Sequence, residues 1–292
     1  MSRIVVLGDL NLDVHAQHPN NIEPGSEIRS VVRANPGGSA GTFARVAASE
    51  GASVTFFGCV GNDLIGDLLV RSLEQSGITP IVARADAPSG TILALEQGSE
   101  RTMVCSRGAN DGLTPESIDR SAFETADHLH VSGYAFLSPN QREAARRAIG
   151  LACAGTMTVS VDPPPASLIA SFGPDAFLAE LEEVSWLFPN FEEGRTLTDR
   201  ENAEEIVGAL AESFQRGAVT LGSSGALAWN GQDRDLHRPP EQVSGDSTGA
   251  GDAYAAAFVV SILGGRSISE SNARGCAVAG DHIRRGRKAH AQ

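Results

Sequence analysis

The chain has 292 residues, 41% hydrophobic and 5% aromatic, with a formal net charge of −13. A globally acidic protein repels nucleic-acid phosphate at long range, which argues against a nucleic-acid partner. No apolar run reaches the roughly 18 residues of a membrane span, the short apolar start is no signal peptide, and Cys59, Cys105, Cys153 and Cys276 lie too far apart for a zinc site or disulfide framework; the expectation is a cytoplasmic enzyme.

Strand and helix patterns alternate along the chain. Residues 4–8 read as a buried strand that breaks at Gly8-Asp9, residues 39–50 as a helix and 53–58 as a strand. Residues 63–76 read as an amphipathic helix with Leu64, Leu68, Leu69 and Leu73 on its apolar side. Further on come a strand at 128–132, a helix at 139–154, a strand at 158–162 and a short strand at 186–189. A helix at 202–214, strands at 218–221 and 226–229, and helices at 249–263 and 269–284 complete the series. Repeated strand–helix–strand units predict an α/β fold, a mainly parallel sheet covered on both faces, in one domain over 1–292.

Two stretches break the alternation. Residues 13–33 hold no convincing helix, and residues 78–105 read as strands at 78–83, 91–96 and 102–105 separated by turns. Together, over about 11–35 and 78–107, these excursions can pair into a small accessory sheet that covers a site and excludes water.

The most specific motif is Asp246-Ser247-Thr248-Gly249-Ala250-Gly251-Asp252, set against the apolar run 253–260. Glycines at a helix start let backbone N–H groups approach an anion, and the helix dipole favours negative charge there. A carboxylate at the rim of such a site makes sense if it removes a proton from an attacking hydroxyl. Read alone, a short Gly-x-Gly-Asp is more often a capped helix after a loop than an anion site. The full run resembles the C-terminal signature of the ribokinase-like (PfkB) carbohydrate kinase family, and other segments match that family in order.

The resemblance implies a Rossmann-like three-layer sandwich with a β lid, and ATP with Mg²⁺ as cofactors. It implies Asp252 as general base and Gly249, Ala250 and Gly251 as an anion hole. Asn35-Pro36-Gly37-Gly38-Ser39-Ala40-Gly41-Thr42 is similar to the N-terminal signature, where an Asn contacts the sugar; Thr42 holds that place here and lacks the amide. Gly37, Gly38 and Thr42, with Asn11 and Asp13 after the first strand, are the implied substrate contacts. Asn190 and Glu193 match the family's Asn-x-x-Glu, implying water-mediated Mg²⁺ contact through Glu193; on residue preference alone they are a helix cap. Thr220, Gly222 and Gly225 resemble the nucleotide-side turn. Asp246 is the implied ligand for a monovalent cation, K⁺.

By resemblance the substrate is a small sugar, a furanose or keto-sugar phosphorylated on a primary CH₂OH, with a nucleoside of the adenosine or pseudouridine type second. Pairing of two copies through their lids is also implied. A non-catalytic sugar or nucleotide sensor is the reading from another class. An NAD-dependent oxidoreductase lacks its Gly-x-Gly-x-x-Gly after the first strand. Gly58-Cys59-Val60-Gly61-Asn62-Asp63 reads as a strand end and an Asp cap. His128 and His130 point to one face with no third ligand, favouring a structural role. The basic run 284–288 reads as a solvated tail or as a neighbour of the nucleotide.

Overall fold

The structure is a computed structural model that describes residues 1–17, 25, 27–97, 100–241, 243 and 247–290. The chain opens with β1 (Arg3–Leu7), runs through β2 (Asn11–Gln17) and β3 (Val32–Gly37), and enters α1 (Ser39–Ser49). β4 (Ser53–Gly61), α2 (Leu64–Gln75) and β5 (Thr79–Ala85) follow, then β6 (Gly90–Gln97) and β7 (Glu100–Ser106). After short 3₁₀ turns come β8 (His128–Ser132), α3 (Pro139–Cys153), β9 (Thr158–Asp162), α4 (Ala166–Phe172), α5 (Pro174–Ala179) and β10 (Trp186–Leu187). The last part contains α6 (Phe191–Thr198), α7 (Ala203–Leu210), β11 (Arg216–Thr220), β12 (Ala226–Asn230), β13 (Asp233–His237), α8 (Ala250–Leu263) and α9 (Ile268–His290).

Among the described residues, nine strands form one sheet in the order β13-β12-β11-β10-β9-β8-β1-β4-β5. It is parallel from β11 to β5, and only the β11–β12 and β12–β13 pairings at one edge are antiparallel, with β12 the reversed strand. The expected α/β architecture is therefore present. Successive side chains of a strand point to opposite faces, and a parallel sheet is buried on both. In β1, Val5 and Leu7 join the core beneath α3, whereas Ile4 and Val6 join the core that holds Phe43 of α1 and Phe258 of α8. α8 is buried almost all round, from Ala253 to Val259, because it is packed between α1 and α9. No helix among the described residues is long and apolar enough to cross a membrane.

A second sheet has four strands in the order β3-β2-β6-β7. This is the accessory sheet anticipated from the two excursions, with one correction. The strand placed at 78–83 belongs to the main sheet: β5 pairs parallel with β4 along its whole length, and the second excursion supplies only β6 and β7. α2 also differs from expectation. Leu69 and Leu73 are fully buried, but Leu64 is 85% exposed and Leu68 47% exposed, so the apolar side is narrower than the leucine spacing suggested. The Asp63 cap is as read: its carboxylate accepts from the Gly66 amide at 2.7 Å and from both the amide and hydroxyl of Ser89. α4, α5 and β13 were not anticipated, and of α6 only the Asn190–Glu193 cap was read.

Candidate active site

Parallel strands of a doubly wound sheet deliver their C-terminal ends to one edge, where ligands bind. Here that edge and the small sheet enclose a cavity of about 620 Å³. Asp9 follows β1, Asp162 ends β9, Asn190 follows β10 and Thr220 ends β11, and all four line it. The small sheet roofs the cavity with one face, since Asn11, Asp13 and His15 of β2 and Arg33, Asn35 and Gly37 of β3 alternate into it.

The glycine turn lies on the floor. Gly249 caps α8 at φ 73°, a left-handed conformation suited to glycine. Its α-carbon faces Thr42 and His282: a Cβ there would stand 3.1 Å from Thr42 Cγ2 and from His282 Nε2. Nε2 of His282 donates to the Thr248 carbonyl at 2.9 Å, which ties α9 to the turn. Gly251 is exposed to the cavity, while the Ala250 amide is spent on the Ser247 carbonyl at 3.1 Å and Ala250 is not in the cavity wall. Asp252 is half-buried in the first turn of α8 and accepts from Ser39 Oγ at 2.7 Å.

Three acidic groups share this floor. The Asp162 and Asp252 carboxyls are close enough for each to influence the other's titration. Burial, then the Asp252 and Glu193 charges, push the Asp162 carboxyl well above the usual carboxylate range. Glu193 is pushed up to about 8, chiefly by burial. Its carboxylate accepts from the Asn190 amide at 2.8 Å and from Asn190 Nδ2 at 2.6 Å, and Asn190 Oδ1 accepts from the Glu193 amide at 3.0 Å. Asn190 and Glu193 thus form a complete capping box at the start of α6 while both line the cavity.

Of the residues anticipated from sequence, Asn11, Asp13, Gly37, Gly38, Thr42, Asn190, Glu193, Thr220, Gly249, Gly251 and Asp252 all come together around the cavity. Asn11 Oδ1 accepts from Nδ2 of the buried Asn110 at 2.7 Å. Gly222 and Gly225 are not brought in; they make the turn between β11 and β12, where a Cβ on Gly225 would strike the His237 carbonyl. Asp246 lies outside the described residues. The basic run splits: Arg285 lines the cavity, and Arg284 pairs with Asp281 at 2.9 Å. Asp9, Arg107, Tyr134, Asp162 and His282 line the cavity and were missed. For Asp9 and Asp162 a signal existed, a carboxylate just at the C-terminal end of an apolar strand. For Arg107, Tyr134 and His282 there was none.

A model of the family described as "pfkB family carbohydrate kinase" matches residues 1–287. The chain belongs to that family. The PfkB chain is 29% identical over 289 residues to an ATP-dependent ribose-1-phosphate kinase of Halopiger xanaduensis, covering 96% of this chain and 93% of that one. It is 27% identical to a ribokinase of Haemophilus influenzae, over 92% of this chain and 88% of the relative. Its fold is that of a putative ribokinase II from E. coli, solved in complex with ATP and Mg²⁺: TM-score 0.87 at 18% identity, covering 97% and 93% of the two chains.

Proposed function

We propose that this PfkB kinase transfers the γ-phosphoryl group of ATP to a primary CH₂OH of a furanose or keto-sugar. One observation carries the reading. Asp252, the only carboxylate of the glycine turn among the described residues, stands beside the bare backbone of Gly251 on the floor of a cavity that Asn11, Asp13 and Asn35 line from the roof.

The sugar lies against Asn11, Asp13, Gly37, Gly38 and Thr42. Asp252 takes the hydroxyl proton, and the oxygen forms a bond to the γ-phosphorus. The bond from that phosphorus to the β,γ-bridging oxygen breaks, and ADP leaves with the bridging oxygen. Amides at the α8 start, those of Gly249 and Gly251 foremost, face the charge that develops on the transferring group. The oxygen-rich wall at Asn190 and Glu193 suits a hard cation, and Mg²⁺ bound with ATP supplies charge neutralisation at the β- and γ-phosphates. Thr220 borders the nucleotide side; Gly222 and Gly225 shape its turn. Asp246 is proposed as a ligand for K⁺.

The roof favours a sugar with a substituent remote from the reacting hydroxyl. In the same roof, across β2 from Arg33, the strands β6 and β7 turn Ile92, Ala94 and Met103 into the cavity. That apolar strip supports a nucleoside as second reading, and Arg33 supports a phosphorylated pentose. On the opposite lid face Val32 and Val104 are 61% and 59% exposed, which supports pairing of two copies through their lids.

The test is ADP release from Mg·ATP with ribose, fructose, ribose 1-phosphate and adenosine as acceptors. Turnover on one of them, lost in Asp252→Asn, supports the kinase reading and names the acceptor. Saturable acceptor binding with no ADP from any of them would favour a sensor.

A further inference from the structure

Asp252 does not hold its position alone. Ser39 Oγ donates to Asp252 Oδ1 at 2.7 Å, and Ser132 Oγ donates to Ser39 Oγ at 3.0 Å. We propose that Ser39 and Ser132 form a two-hydroxyl relay that orients the Asp252 carboxylate for proton removal, Ser39 directly and Ser132 through Ser39. This rests on the reading of Asp252 as the base.

The direction of the relay follows from the inventory of protons. A serine hydroxyl has a single proton to donate. Ser39 gives its proton to the carboxylate, and Ser132 fills a lone pair of Ser39 with its own. Donation in series polarises each bond in the same sense, so the second hydroxyl strengthens the first bond. Ser39 lines the cavity, and its one hydroxyl proton is committed to Asp252. α1 is capped by Gly38 with no side-chain hydrogen bond, so Ser39 at its first position is not a cap. Ser132 is fully buried at the end of β8 and is not part of the cavity wall. A buried hydroxyl costs stability unless it is bonded, and Ser39 is the partner Ser132 has.

The backbone is built to permit the contact. A Cβ on Gly8, at φ 153°, would lie 2.8 Å from both Ala40 Cβ and Ser132 Cβ. Any side chain at this position would push apart the end of β8 and the start of α1, the two places that carry Ser132 and Ser39. Three elements distant in sequence (β8, α1 and α8) therefore meet through one chain of hydrogen bonds, and Gly8 after β1 leaves them room.

The surroundings explain why the base needs such a hold. From β9 and α6 the Asp162 and Glu193 carboxyls face the same floor, and the Tyr134 hydroxyl feels the Asp252 charge. Burial pushes the Asp252 carboxyl up; the Ser39 hydroxyl is the largest influence holding it down, ahead of Asp162 and the charges of His282 on α9 and Arg45 on α1. Removing Ser39 would leave the carboxylate free to rotate toward Asp162 and easier to protonate.

The test compares Ser39→Ala, Ser39→Thr, Ser132→Ala and the double alanine variant, with Mg·ATP and the best acceptor of the panel. In Ser39→Ala, kcat is expected to fall about 10- to 100-fold, as for a misplaced reacting group, with KM for ATP within about twofold. The acid limb of its kcat–pH profile moves to higher pH. Ser132→Ala shows a smaller change in the same direction, and Ser39→Thr restores kcat and the profile. The double variant matches Ser39→Ala, because Ser132 acts only through Ser39. Wild-type kcat and pH profile in Ser39→Ala, while Asp252→Asn is inactive, would overturn the relay and leave the base standing. Additive losses in the double variant would also overturn it. Full activity of Asp252→Asn, or silence of the wild type on every acceptor, would overturn the base reading and the relay with it. Should Ser39→Ala fail to fold, as judged by circular dichroism, Ser132→Ala and Ser39→Thr decide the matter by the same pH profile.

Discussion

The Arg107 guanidinium holds both oxygens of the Asp9 carboxylate, Nη1 to Oδ2 at 2.8 Å and Nη2 to Oδ1 at 3.3 Å. Asp9 stands just before β2, and Arg107 just after β7, so the pair joins the strand that enters the lid to the strand that leaves it. Gln141 of α3 completes the clamp: its Nε2 donates to Asp9 Oδ1 at 3.0 Å and its Oε1 accepts from Arg107 Nη2 at 2.6 Å. The small sheet is thereby anchored to the body at its base.

Arg107→Ala should be strongly destabilising. Asp9 is only 6% exposed, and removing its cation leaves a buried charge with Gln141 alone. The expected loss is about 3 kcal/mol, the scale for breaking a buried ion pair from one side. Arg107→Lys keeps the charge but not the two-pronged geometry and should recover only part of it. Urea unfolding midpoints check both.

Asp252→Asn should separate chemistry from binding. The amide keeps the shape and the Ser39 contact but accepts no proton, so turnover should fall by at least about 100-fold, the usual share of general-base catalysis. Mg·ATP affinity measured by calorimetry should stay close to wild type. Near-normal turnover would remove Asp252 from its role.

Gly38→Ala tests the entry to α1. Gly38 sits at φ 87°, ψ 142°, a region almost closed to other residues, and an added Cβ would lie 2.5 Å from the Asp9 carbonyl oxygen. Backbone strain of this kind costs about 1–3 kcal/mol before the clash is counted. Unfolding in urea should show a loss at or above that range, and the acceptor KM should rise because Gly37 and Asn11 adjoin the same turn.

Acid should destabilise the protein through His128 and His130. Both are fully buried in the sheet face and share Ser160, whose hydroxyl lies 2.7 Å from His128 Nε2 and 2.8 Å from His130 Nδ1. Burial, aided by Arg216, holds His128 down at about 3, and burial with the His128 neighbour lowers His130 as well. In the unfolded chain a histidine titrates near pH 6.5. Folding therefore excludes protons that the unfolded state binds; the stability is complete above about pH 6.5 and is lost as pH falls toward 3. Each histidine contributes up to about 1.4 kcal/mol per pH unit in that window. His128→Asn should flatten the fall in unfolding free energy between pH 6 and 5; an unchanged slope would sink the assignment.

The alternating pattern was legible because it is local. A buried parallel strand must be a short apolar run, and a helix after it needs a cap, so Asp63 and Asn190 show in the sequence as caps before they are seen as such. Leu64 and Leu68 misled because spacing tells which residues share a helix side, not whether another element covers that side. The strand at β5 misled for a similar reason: an edge strand of the main sheet and a lid strand have the same local pattern.

The sequence by itself determined the α/β alternation, the glycine turns at Gly37-Gly38 and Gly249-Ala250-Gly251, and the helix start that carries Asp252, since each depends on residues close along the chain. The tertiary structure alone decided which side chains meet at the site. Ser39 reaches Asp252 across 213 positions, Ser132 reaches Ser39 across 93 and Arg107 reaches Asp9 across 98. Such contacts leave no periodicity in the chain, because they are set by sheet order and by how closely glycine lets two elements approach.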